Sequence, residues 1–110
     1  MRLWLDDERD PAVWCALEES GAEKDMVWVK TVEEAKELLM TGDVTFISLD
    51  NDLGFNQKEG SILSSWIEEQ AYFKKLPRLK WAVHTANPVA HKYITMAMKN
   101  ADGFWDLLDK

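Results

Sequence analysis

Two hydrophobic rhythms alternate along the chain. Short apolar runs, four to six residues long, read as buried strands: Arg2–Leu5, Met26–Lys30, Val44–Leu49 and Leu79–Val83. Between them apolar residues recur every three or four positions, the helical period. Pro11–Ser20 is expected to be a helix, with Asp10 as cap, Pro11 at its first position and Gly21 ending it. In TVEEAKELLMTG, Thr31 and Glu34 form a capping box, Ala35, Leu38 and Leu39 make the apolar stripe, and Gly42 is the stop. Ile62, Leu63, Trp66, Ile67 and Tyr72 place a helix over Ile62–Leu76, broken by Pro77. Asn87 can cap a last helix that starts with Pro88 and carries Val89, Tyr93, Ile94 and Met98. The tail GFWDLLDK fits either a fifth short strand or a last helical turn.

Strands separated by helices imply an α/β open parallel sheet of four to five strands, with helices on both faces. Ligands of such sheets bind beyond the carboxyl ends of the strands, where the strand order reverses. Three polar clusters fall on that rim. Asp6 and Asp7 end the first strand, Asp50 and Asp52 follow the third, and His84, Thr85 and Asn87 follow the fourth.

Composition narrows what the rim can do. At 110 residues the chain suits one domain, 1–110, and 46% hydrophobic residues suffice for a packed core. The formal net charge of -7 counts against duplex nucleic acid and against a membrane surface, both of which need a basic footprint. It leaves room for a small phosphorylated ligand if a metal or a local cation supplies positive charge. One cysteine, Cys15, allows no internal disulfide. The opening residues lack a basic and apolar leader, and no apolar stretch is long enough to span a bilayer. The expectation is a cytoplasmic domain. The Trp residues at 4, 28, 66 and 81 lie on strands or on an apolar stripe, where they read as core.

Carboxylates gathered on one rim repel one another unless their proton affinity rises or a cation joins them. One acidic pair would read as solvated loop acids and caps. Two pairs at equivalent strand ends point to a metal or phosphate site. Mg²⁺, or another divalent ion such as Mn²⁺, takes one or two carboxylates and offers open positions to phosphate oxygens. His84 can donate a proton to a leaving oxygen or hold a phosphate oxygen, and a lone histidine there can equally be a half-buried core residue. Asn87 is first of all a cap, next to a helix N-terminus suited to anions. Arg9 is a candidate phosphate clamp or a surface ion-pair partner. Lys58 and His91 read as solvated.

LDDERDP, ISLDNDLG and VHTANP, in that order and each at a strand end, together resemble the cyclic-phosphate processing receiver domain family, over Leu3 to about Met98. The resemblance implies a flavodoxin-like, receiver-like fold of the response-regulator type. It also implies a role in handling cyclic phosphates, either 2′,3′-cyclic phosphate RNA ends or cyclic nucleotides. On its motifs Asp6 and Asp7 match the acidic pair that holds the divalent ion, Asp50 the phospho-acceptor, and Thr85 the small hydroxyl residue. His84 and Asn87 match residues that mark the family. Asn51 stands where the family commonly has His, and no Lys-Pro follows a fifth strand. The expected activity is that of a metal-dependent phosphoesterase (a hydrolase). Asp6, Asp7 and Asp50 would hold the ion, Asp52 would orient water and His84 would protonate the leaving alkoxide. Thr85, Asn87 and Arg9 would bind phosphate. In a covalent variant, Asp50 is the nucleophile. The competing expectation is a non-catalytic, stand-alone receiver-like phospho-acceptor or binding module.

Overall fold

The structure, a computed structural model, describes residues 1–8, 10–11, 26–53 and 59–108. Four parallel strands form one sheet: β1 (Arg2–Leu5), β2 (Val27–Val29), β3 (Phe46–Leu49) and β4 (Lys80–Val83). Their order is β2-β1-β3-β4. The chain runs outward from β1 to β2, then returns across β1 to β3 and β4. The order therefore reverses between β1 and β3, and that is where the cleft of an open parallel sheet belongs.

Side chains alternate across a strand, so the register sorts them into two faces. Leu3 pairs with Ile47, Leu5 with Leu49, and Leu5 with Val29. These residues belong to the main core, which also holds the apolar stripes of α1 (Val32–Leu39), α2 (Gly60–Tyr72) and α3 (Pro88–Leu108). The three described helices thus cover one face. The other face carries Trp4, Met26, Trp28 and Phe46 as a smaller cluster. Trp4 there is wholly buried. The helix expected on Pro11–Ser20 lies, beyond a buried helical Pro11, outside the described residues.

The local signals act as the residue chemistry requires. Thr31 Oγ1 accepts from the Glu34 amide at 3.2 Å, which caps the helix, and its hydroxyl donates to the Glu34 carboxylate at 3.3 Å. Gly42 stops α1 at φ 79°, a left-handed conformation that costs glycine nothing. Asn87 Oδ1 accepts from the amides of Val89 and Ala90, both at 3.1 Å, which satisfies two N–H groups at the start of α3.

Two elements depart from the pattern. The helix expected to run to Leu76 ends at Tyr72. Lys74 adopts φ 61°, and the amides of Lys74 and Lys75 turn back to the carbonyls of Ala71 and Gln70. That is a Schellman-type stop built on a lysine, where the usual signal is glycine. The tail is helix, not a fifth strand. α3 continues unbroken through Gly103 to Leu108. It is anchored by Trp105, buried in the core with its indole N–H on the Leu76 carbonyl at 3.0 Å. Among the described residues no helix is long and apolar enough to cross a membrane.

Candidate metal centre at the carboxyl rim

The register that builds the core also builds the site. Leu5, Leu49 and Val83 form the last paired row across β1, β3 and β4. The next residue of each strand is Asp6, Asp50 and His84. Their amides still hydrogen-bond in ladder fashion, Asp6 to Val29, Asp50 to Leu5 and His84 to Leu49, at 3.0–3.1 Å. Strand alternation turns all three side chains to the face opposite the main core. Their ligand atoms lie within 4.8 Å of one another.

The three are tightly enclosed. Asp6 is 1% exposed and Asp50 is 5% exposed. The His84 side chain is 3% exposed, although the residue as a whole is only half-buried, so its exposure lies on the backbone. His84 Nε2 faces Asp6 Oδ2 at 3.1 Å. Asp6 Oδ1 accepts from the Glu8 amide at 2.9 Å, and Asp50 Oδ1 from the Asn51 amide at 2.8 Å. The Trp28 indole donates to the Asp6 carbonyl at 2.6 Å and pins the end of β1 to β2.

Other expected residues sit around this centre, not in it. Asp7 is half-buried and does not join the cluster. Asp52 is exposed at the rim, with Oδ1 accepting from the Asn51 side-chain amide at 3.2 Å. Thr85 is buried and its Oγ1 accepts from the Asn87 amide at 3.3 Å. The Asn87 oxygen is committed to its helix cap. Arg9 and Lys58 lie outside the described residues. His91 is exposed, one turn into α3.

Three further contributors have no expected role at the site. Ser48 Oγ lies 2.7 Å from His84 Nδ1, and Trp4 stacks on the imidazole at 3.7 Å between centroids. Asn51 is buried, and its Oδ1 accepts from the Ser61 amide at 3.3 Å at the start of α2. Glu59, the residue at the cap position of that helix, makes no side-chain cap bond. Asn51 thus takes over part of the cap from ten residues upstream. The amide of Gly60 also donates to the Asn51 carbonyl at 2.9 Å.

A parallel α/β sheet of this order, with acidic residues at the ends of β1 and β3 beside the reversal point, defines a receiver-like domain of flavodoxin-like fold. The chain matches the family described as the cyclic-phosphate processing receiver domain over residues 1–100, and it belongs to that family. No curated protein and no solved structure matches it.

Proposed function

We propose that the chain is a metal-dependent phosphoesterase acting on a cyclic phosphate, either a 2′,3′-cyclic phosphate RNA end or a cyclic nucleotide. The carrying observation is the convergence of buried Asp6 and Asp50 with the His84 imidazole, their ligand atoms within 4.8 Å of one another. Two buried carboxylates this close oppose each other, and burial strengthens the repulsion. A divalent cation is the natural complement.

The donor set fits such an ion. Two carboxylates are within what Mg²⁺ or Mn²⁺ accepts, while an imidazole suits a later first-row ion better. Asp6, Asp50 and His84 would hold it, with Asp7 and Asp52 close by along the chain. A bound ion would supply positive charge against phosphoryl oxygens and acidify water. Asp52, exposed two residues after Asp50, would orient the attacking water. The N-terminus of α3 beyond Thr85 and Asn87 presents a partial positive charge to a non-bridging oxygen. The acid role expected of His84 needs an N–H open to substrate. Its Nε2 is instead turned to Asp6, and the geometry favours using that atom on the ion. The leaving alkoxide would then take its proton from solvent.

The test is phosphorus NMR of a 2′,3′-cyclic nucleotide, and of an RNA ending in one, with Mg²⁺ or Mn²⁺. Conversion to a monoester by wild type but not by Asp50→Asn supports the proposal. No conversion with either metal and either substrate rejects it. A phosphoryl mass gain from acetyl phosphate that disappears in Asp50→Asn would instead mark a phospho-acceptor module.

A further inference from the structure

His84 is held by two residues that need not touch any substrate. Trp4 and Ser48 are register partners, two residues before Asp6 and Asp50 and so on the same face of the sheet, and both are wholly buried. The Trp4 ring lies 6° from parallel with the imidazole, which fixes the plane of His84. A ring clamped in its plane keeps one freedom, a half-turn that exchanges its nitrogen and carbon edges. The 2.7 Å hydrogen bond between Ser48 Oγ and Nδ1 removes it, because the flipped ring would offer Ser48 a carbon. Nε2 is thereby left facing the carboxylates.

The hydroxyl has a second consequence. With Asp6 ionised and the imidazole neutral, Nε2 carries the proton toward Asp6 and Ser48 donates to Nδ1. Toward a cation, Nε2 must turn a lone pair. The proton then belongs on Nδ1, and Ser48 must accept it. A hydroxyl serves both arrangements by rotating about its C–O bond, whereas a backbone carbonyl or amide in that place serves only one. Metal-bound imidazoles are commonly oriented through their second nitrogen in this way.

We infer that Ser48, acting with the stacked Trp4, is a positioning residue of the metal centre. It aims Nε2 of His84 at Asp6 and Asp50 and reverses its hydrogen bond when an ion is bound. The inference rests on the metal-centre reading above and deepens it.

Nitrogen-15 spectra of the imidazoles test it with Zn²⁺, a diamagnetic probe. The chain has two histidines, so His91→Gln leaves His84 alone to be seen. On Zn²⁺ addition the protonated nitrogen should change from Nε2 to Nδ1. Ser48→Ala should bind Mn²⁺ and Zn²⁺ about 10- to 100-fold more weakly, the usual effect of removing an outer-shell partner. Ser48→Thr should bind close to wild type. Metal-free thermal unfolding of each variant establishes that it is folded. Zn²⁺ bound with Nε2 still protonated, or Ser48→Ala binding like wild type, overturns the inference. So does a loss that Ser48→Thr shares, since packing and not the hydroxyl would then be responsible. A wild type that binds neither ion overturns the metal centre itself. Absence of phosphate turnover alone would leave these metal readouts standing and reject only the phosphoesterase reading.

Discussion

Gly60 opens α2, and a Cβ added there would lie 1.7 Å from the Asp50 carbonyl oxygen and 2.8 Å from its carbon. Both are backbone atoms, so no side-chain rotation relieves the clash. Either the start of α2 or the Asp50–Asn51 backbone must move. Gly60→Ala is therefore expected to cost about 3 kcal/mol or more, at or above the upper end of what single changes usually cost. Urea unfolding reads the cost, and a loss below about 0.5 kcal/mol, the scale of ordinary surface changes, would contradict the close approach. The same displacement reaches Asp50, so metal affinity should fall with stability. In the sequence this glycine reads only as a loop boundary. Asp6, Asp50 and His84 are visible as polar residues closing apolar strands, because strand ends and their shared rim follow from the pattern alone. Ser48 is not, since a serine inside FISL looks like a small core residue until the partner strand brings a histidine beside it. Asn51 is hidden for a similar reason: its helix begins nine residues later.

At the scale of elements, the boundary signals that rest on side-chain chemistry within one turn could be read directly. The Thr31–Glu34 cap and the Asn87–Pro88 start are of this kind. The Lys74 stop could not, because lysine rarely supplies a left-handed residue and tertiary context decides it. The tail fits strand and helix alike because so short an apolar run is too brief to separate a period of 2 from one of 3.6. Trp105 resolves it. Its indole reaches the Leu76 carbonyl across the gap between α3 and the chain entering β4, and the ring is 2% exposed. The family match ends at residue 100, yet this last turn closes the core. Trp105→Ala is expected to cost about 3–5 kcal/mol, as for other large buried aromatics. Trp105→Phe keeps the ring but removes the donor from Leu76, at about 1–3 kcal/mol. Thermal or urea unfolding separates the two. Equal, small losses would mean that α3 beyond Asn100 packs without contributing to the fold.

For the whole molecule, the three residues of the candidate centre come from one row of the parallel sheet. Asp6, Asp50 and His84 come from three strands separated by most of the chain, and each sits one residue past the Leu5–Leu49–Val83 row. An ion held by all three would tie β1, β3 and β4 together at their carboxyl ends, where the ladder otherwise frays into loops. Ligand binding to the native state stabilises it by RT ln(1 + [L]/Kd), about 2.7 kcal/mol at a hundredfold excess over Kd. The site's design localises part of that gain. The amides of Asp6, Asp50 and His84 donate to Val29, Leu5 and Leu49, and these bonds open when the rim opens. Hydrogen exchange at the three amides should slow together on adding Mn²⁺ or Zn²⁺, by more than at Thr45 or Lys80 at the opposite end of the sheet. Those two amides pair with Met1 and Thr45 and touch none of the ligands. The metal-free protein should show the complementary effect in Asp50→Asn. Removing one of two facing buried charges relaxes their repulsion, so the variant should resist unfolding at least as well as wild type, while the metal-induced slowing disappears. Uniform slowing at both ends of the sheet would show that the ion stabilises the fold only globally. Slowing at Asp6 and Asp50 with His84 unchanged would confine the ion to the two carboxylates and remove the imidazole from the centre.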